Sequence, residues 1–131
     1  MKILSVLLLA IVCTGCGGYG SQTPATPQPG VVPAISELSP DNAPAGTTGL
    51  TLTVNGTSFA SKATVEWNGT QQTTMFVTTK QLVATIPDSA LTTSGTVSLT
   101  VTNPATPGTG GIYGTGGTTS QTSKPVTFTI E

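Results

Sequence analysis

Hydrophobic and polar residues alternate along several short stretches in the C-terminal three quarters of the chain. The clearest are LTLTVNG at 50–56, ATVEWNG at 63–69, QLVATIP at 81–87, TVSLTVTNP at 96–104 and PVTFTIE at 125–131. A period of two is typical of β-strands that bury one face. Threonine occupies most of the outward positions, where its branched Cβ favours the pleated backbone. The pattern therefore predicts strands with an apolar inner face, and it places Trp67 on that face together with Val65.

Turn residues separate these stretches and predict the remaining elements. Asn68-Gly69 is typical of a tight hairpin turn, and proline ends two of the stretches. A further short strand is predicted near Ile35–Leu38, and another at Met75–Val77, where three consecutive apolar residues leave the buried face ambiguous. No segment has helical periodicity, although PDSALTTSG at 87–95 allows one short helical turn. About seven short strands predict an all-β, antiparallel sandwich.

The first residues have the layout of a secretory signal peptide. Lys2 precedes an apolar run that ends near Val12, which is too short to be a spanning helix of about 20 apolar residues. The sequence from Cys13 to Cys16 resembles a bacterial lipobox, with Cys13 in place of the usual aliphatic residue. The resemblance implies a signal peptide over residues 1–15 and lipidation of Cys16. The alternative is an ordinary signal peptide with an incidental cysteine.

Residues 16–33 are rich in proline, glycine and threonine, which predicts a flexible and partly extended linker. An acylated Cys16 would hold the protein on a membrane, because more than one acyl chain gives stable anchoring. The expected location is the cell envelope, facing away from the cytoplasm. Gly17 after the cysteine favours an outer membrane where the organism has one, a rule that transfers only by resemblance.

Charge and residue usage exclude several functions. Charged residues are 7% of the chain, the net charge is −1, and histidine is absent. The lack of a basic patch argues against nucleic acid as a partner. Without histidine, neither a serine–histidine nor a cysteine–histidine pair can form, and zinc loses its usual ligands. The chain is therefore predicted to be no enzyme and to bind no metal or cofactor. The five carboxylates are predicted to be solvated surface charges, and they are Glu37, Asp41, Glu66, Asp88 and Glu131.

A family resemblance follows from the order of these landmarks. They are Ile35 with Ser39-Pro40, Ala45-Gly46, Gly56-Thr57-Ser58-Phe59, Val65-Glu66-Trp67-Asn68-Gly69, Ile86-Pro87, and Val97 to Asn103. In this order they resemble an IPT/TIG domain over residues 34–131. The resemblance implies an immunoglobulin-like fold used as a spacer or binding module. The chain departs from the family in the long connection between its last two strands, residues 103–124.

That connection contains PGTGGIYGTGGTTSQTS at 107–123. It lacks the third glycine and the following helix of a phosphate-binding loop, so nucleotide binding is not expected. Its composition favours disorder over an ordered hairpin loop, but Ile112 and Tyr113 are candidate contacts for a partner. The sequence thus predicts a non-catalytic, lipid-anchored module that acts as a spacer or binds a protein. The alternative is a carbohydrate-binding accessory lipoprotein that uses this loop.

Overall fold

The computed structural model describes residues 26–108 and 116–131. It contains seven strands of four or more residues, five two-residue strands and one 3-10 helix, Asp88–Leu91. The longer strands are β2 (Ala34–Ser39), β4 (Leu50–Thr57), β5 (Thr64–Trp67), β7 (Thr73–Thr78), β8 (Gln81–Ile86), β9 (Gly95–Asn103) and β12 (Val126–Ile130). The short strands are β1 (Gln28–Pro29), β3 (Asn42–Ala43), β6 (Thr70–Gln71), β10 (Thr118–Thr119) and β11 (Gln121–Thr122). In the described residues, no helix has the length and apolar character needed to cross a membrane.

Two sheets pack face to face. One has the order β2-β4-β8-β7, and the other has the order β3-β12-β9-β5-β6, with β11 also paired to β9. Within these two sheets, neighbouring strands are antiparallel except β3 with β12. Two sheets joined in this way form an immunoglobulin-like sandwich. The predicted fold class is therefore confirmed.

Most of the core consists of the alternate residues that the sequence pattern predicted, and Ala43, Phe59 and Leu91 complete it. Every second residue of β4 and β8 is buried, and β5, β9 and β12 contribute the facing side chains. Trp67 is only 5% exposed, and its ring lies 5.0 Å from that of Phe128 at an interplanar angle of 55°. A tilted pair at this separation adds to the free energy gained by burying both rings. The prediction that Trp67 belongs to the core is confirmed.

Strand β7 explains the ambiguous stretch at Met75–Val77. It is an edge strand that pairs only with β8, and its register shifts between Phe76 and Thr78. All three apolar residues are exposed, with Met75 the most exposed at 67%. A strand at the margin of the sandwich has no second sheet to cover it fully, so strict alternation is lost there.

The end of the predicted linker is fixed to the domain. Strand β1 pairs in parallel with β10, and the Gln28 N–H donates to the Gly117 carbonyl oxygen at 2.8 Å. Pro33 is fully buried. The sequence predicted a flexible linker up to residue 33, but its last residues are held by a pairing with a segment about 90 positions further along the chain, which local composition does not reveal.

The strand directions define two ends of the sandwich. Strands β4, β7 and β9 run towards the end where β1 docks and β2 begins, which we call the tether end. Strands β5, β8 and β12 finish at the opposite end, which we call the far end. The two described ends of the 103–124 connection therefore lie at the tether end, and the Asn68-Gly69 turn and the 3-10 helix lie at the far end.

Candidate functional site

Three of the predicted site residues fall outside the described part of the chain. They are Cys16, Ile112 and Tyr113. Lipidation at Cys16, and partner contact through Ile112 and Tyr113, therefore stay predictions. The described parts of the 103–124 connection form its base, where Thr106 and Thr118 make an isolated bridge and their hydroxyls lie 2.8 Å apart.

Three of the five carboxylates accept hydrogen bonds that support the fold. Glu66 accepts from the hydroxyls of Thr100 and Thr102 on the neighbouring strand. The backbone N–H of Gly49 donates to Asp88 Oδ1 at 2.8 Å, which ties the loop before β4 to the 3-10 helix. These carboxylates lie on separate elements, and each is hydrogen-bonded to a neighbouring segment of the fold.

No group of three or more histidine, cysteine, aspartate or glutamate side chains that could hold a metal occurs among residues 26–108 and 116–131. The acidic side chain of Glu131 lies instead beside Asn42, whose Nδ2 donates to its Oε1 at 3.0 Å. This bond joins the C-terminal end of β12 to β3.

Asn103 is the most connected polar side chain at the tether end. It is 6% exposed, its Oδ1 accepts from the Ala60 N–H at 2.9 Å, and its Nδ2 donates to the carbonyl oxygens of Val31 (2.9 Å) and Ser58 (2.8 Å). It therefore links the end of β9, the loop after β4 and the docked tether. In the sequence, Asn103 only ends the last landmark of the family resemblance and begins the 103–124 connection. Its inward position in the alternation at 97–103 was the signal that could have identified it.

The loop after β4 needs this link because its backbone is unusual. Ser58 has a φ of 63°, in the left-handed region, and it presents Phe59 to the core at 2% exposure. Gly56 comes so close to β2 that an added Cβ would overlap the Ala34 carbonyl oxygen and lie 2.6 Å from the tip of the Phe59 ring. The landmark Gly56-Thr57-Ser58-Phe59 is thus a close-packed corner.

A groove of about 330 Å³ lies beside Asn103 at the tether end. Its walls come from Gly30 and Val31 of the tether, Phe59, and the base of the 103–124 connection. The hydrogen-bonding atoms of the Asn103 amide that line it are already committed to the protein backbone. The groove is therefore a joint between the tether and the sandwich.

A larger cleft of about 440 Å³ lies at the far end. It is bounded by the Asn68-Gly69 turn, the 3-10 helix and the start of β9. The residues lining it are Trp67, Asn68, Thr70, Gln72, Pro87, Ser89, Ala90, Thr93, Ser94, Gly95, Thr96, Val97 and Ile130. None of these residues carries a charge, so the cleft can offer hydrogen bonds and apolar contact but no ion pairing.

The fold and these two regions define an immunoglobulin-like module with a docked N-terminal tether. A scan of protein families matches residues 33–130 with the IPT/TIG domain. The chain therefore belongs to the IPT/TIG family, whose domains are generally non-catalytic and commonly have structural or interaction roles. No curated protein matches the chain.

Proposed function

We propose that the protein is a non-catalytic lipoprotein of the cell envelope, anchored through Cys16, which presents one IPT/TIG module as an interaction or spacer domain. The observation that carries this proposal is the docking of the tether at one end of the module. Strand β1 and the Asn103 bonds fix the chain up to Pro33 against the sandwich. An anchor at Cys16 would therefore join the module at the tether end, through the part of the linker that precedes residue 28.

The lipobox-like sequence supports the anchoring part of the proposal. Thr14 and Gly15 are small, and the resemblance then places the lipidated position at Cys16. After cleavage before Cys16, the mature chain would have one cysteine and no internal disulfide. The sandwich does not need one, since Trp67, Phe128 and the alternating aliphatic residues already form a continuous core.

The residue types support the non-catalytic part. The chain has no histidine, and three carboxylates already accept hydrogen bonds from the fold. Nucleophilic catalysis by serine or cysteine needs an adjacent base, which such a chain supplies poorly. An exposed module with a low charge is instead suited to contact through hydrogen bonds and apolar surface.

The anchor is tested by expressing the full chain in bacteria and replacing Cys16 with serine. Cys16→Ser should move the protein from the membrane fraction to the soluble extracytoplasmic fraction and abolish labelling by radioactive palmitate, because the thioether sulfur is lost. The matched control is Cys13→Leu, which restores the aliphatic residue usual at that lipobox position. This variant should stay in the membrane and keep the label.

Two outcomes would overturn the anchoring proposal. One is a Cys16→Ser protein that remains in membranes and still takes up palmitate. The other is loss of the label in Cys13→Leu alone, since that would assign the acylated sulfur to Cys13. Circular dichroism of the soluble variant checks that residues 33–130 are folded, so that mislocalisation is not confused with degradation.

A further inference from the structure

The far-end cleft has a size and a position that suit a ligand. Its volume of about 440 Å³ falls in the range of roughly 300–1,000 Å³ that is typical of small-molecule sites. It is open to solvent on one side, which would let a long ligand continue beyond it. It also lies at the opposite end from the docked residues 28–33 of the tether.

The polar side chains in the cleft are available for a ligand. Among the described residues, the side chains of Asn68, Ser89, Thr93, Ser94 and Thr96 make no hydrogen bond to another residue. Gln72 uses one amide hydrogen on the Thr70 carbonyl oxygen at 3.0 Å, and its amide oxygen is left over. Hydroxyls and amides both donate and accept, so this set can satisfy a ligand that does the same.

The charged residues nearest in sequence to the cleft point to other partners. Asp88 accepts from the Gly49 N–H, and Glu131 accepts from Asn42. Glu66, next to Trp67, accepts from two threonine hydroxyls of β9. The ligand that the cleft recognises should therefore be uncharged, because no ion pair compensates for the desolvation of a charged group. Exposed or partly buried apolar side chains line the same cleft, among them Pro87, Ala90 and Val97. They offer contact to the C–H faces of a ligand.

The walls of the cleft are held by the fold. Asn68 (φ 49°) and Gly69 (φ 84°) join β5 to β6 with both residues in the left-handed region, as a two-residue type I′ turn requires. The 3-10 helix is anchored by the fully buried Leu91, whose carbonyl oxygen accepts from the Gly46 N–H at 2.7 Å. A site whose walls are fixed before binding loses less entropy when the ligand arrives.

We propose that the far-end cleft binds a neutral carbohydrate, with Asn68, Gln72, Thr93 and Thr96 as hydrogen-bonding residues. A sugar ring combines many hydroxyls with apolar C–H faces and has no charge, which is the combination that this lining complements. The sequence prediction placed carbohydrate binding in the 103–124 connection. The cleft lies at the other end of the sandwich from the described ends of that connection.

This inference deepens the proposed function, and the orientation that it gives rests on the anchor at Cys16. A tether that leads from Cys16 to β1 would bring the tether end towards the membrane. The far-end cleft would then face outward, where an extracellular polysaccharide can reach it. The cleft itself does not depend on lipidation, so its ligand can be tested separately.

Binding is tested by titrating purified full-length protein in detergent micelles with neutral oligosaccharides: a maltoheptaose, a cellohexaose, a mannohexaose and a xylohexaose. Isothermal titration calorimetry should give saturable binding of at least one of them. The same titration followed by NMR should shift the side-chain amide signals of Asn68 and Gln72, while the Asn103 amide signals stay unchanged. A serine–glycine hexapeptide tests whether an uncharged peptide binds instead.

Two substitutions remove single groups without disturbing the walls. Thr96→Val removes a hydroxyl from an exposed strand position, and Asn68→Gly removes an amide from a left-handed position that glycine tolerates. Each should weaken the binding of the oligosaccharide roughly fivefold to tenfold, as expected for the loss of one hydrogen bond. Tyr113→Ala in the 103–124 connection is the control and should bind as the unaltered chain does.

Three results would overturn the proposal. They are the absence of saturable binding to every oligosaccharide, tighter binding of the hexapeptide, and binding that is lost in Tyr113→Ala but kept in Thr96→Val and Asn68→Gly. The last result would move the sugar site to the 103–124 connection. None of them bears on the palmitate label at Cys16, so failure of the cleft and failure of the anchor are distinguishable.

Discussion

The tether end and the far end of the sandwich are both rich in serine, threonine and asparagine, yet their side chains have different hydrogen-bonding partners. At the tether end, Asn103 and Ser123 are buried and bind backbone groups of the same chain. At the far end, Asn68 and Ser94 are exposed and make no side-chain hydrogen bond to the described residues. One end uses these residue types to hold the tether, and the other leaves them for a ligand.

The difference has an energetic basis. A buried polar group that loses its partner costs about 1–3 kcal/mol, whereas an exposed one exchanges its partner for water at little cost. Asn103 satisfies one N–H and two carbonyl oxygens that the strands cannot reach. Substitutions of the same kind should therefore destabilise the protein at the tether end and leave its stability unchanged at the far end.

The largest effect is expected for Asn103→Leu, which keeps the side-chain size but removes all three hydrogen bonds. The Ala60 N–H and the Val31 and Ser58 carbonyl oxygens would lose their partner, and the free energy of unfolding should fall by roughly 3 kcal/mol. Urea denaturation of the full chain, followed by the fluorescence of Trp67, measures the change. The only tryptophan is buried beside Phe128, so its emission reports on the core.

The matched control is Asn68→Gly at the far end, where an exposed amide is removed from a left-handed turn position. Its free energy of unfolding should stay within about 0.5 kcal/mol of the original value. If Asn103→Leu were equally neutral, the tether-end hydrogen bonds would contribute nothing to stability and the contrast between the two ends would fail.

The second largest effect is expected where the backbone of Gly56 approaches β2. Gly56→Ala places a Cβ against the Ala34 carbonyl oxygen and the Phe59 ring, so β2 or the loop after β4 must move. Overpacking of this kind should lower the free energy of unfolding by roughly 2 kcal/mol. The same urea titration measures it.

Gly69→Asn is the far-end counterpart. An added Cβ at Gly69 meets no atom within 4 Å, and asparagine tolerates its positive φ of 84° better than other residues do. Its cost should therefore be well below that of Gly56→Ala. The reverse order would mean that the turn conformation, and not the packing against β2, limits stability at glycine positions.

The sequence predicted those features that depend on neighbouring residues. Alternation at 50–56 and 81–87 identifies the buried face of β4 and β8, because a strand turns each side chain by half a revolution. The Asn68-Gly69 pair predicts the turn that it forms, because both residues adopt a positive φ at low cost. The PDSALTTSG stretch likewise contains the expected short helical turn, Asp88–Leu91.

The remaining features depend on contacts between distant residues. The Asn103 amide bonds to partners that are 43, 45 and 72 positions away. Strand β1 pairs with β10, which follows β9 in the chain. The far-end cleft gathers residues from three separate segments of the chain, 67–72, 87–97 and Ile130. No local pattern encodes such long-range contacts. For this reason the sequence indicated Tyr113 as a candidate contact and not Thr96. Edge position likewise explains why Met75–Val77 could not be assigned a buried face.

The smallest effect is expected for a pair of identical substitutions, one at each end. Ser123→Ala removes the Oγ that accepts from the Val101 N–H at 3.0 Å and donates to the Lys124 carbonyl oxygen at 3.0 Å. Val101 is fully buried, so water does not readily replace the lost acceptor, and unfolding should become easier by about 1 kcal/mol. Ser94→Ala removes an exposed hydroxyl and should change stability by less than about 0.5 kcal/mol. Both replacements delete the same atom. If the two variants lost the same free energy of unfolding, polar side chains would not be structural at the tether end and free for a ligand at the far end.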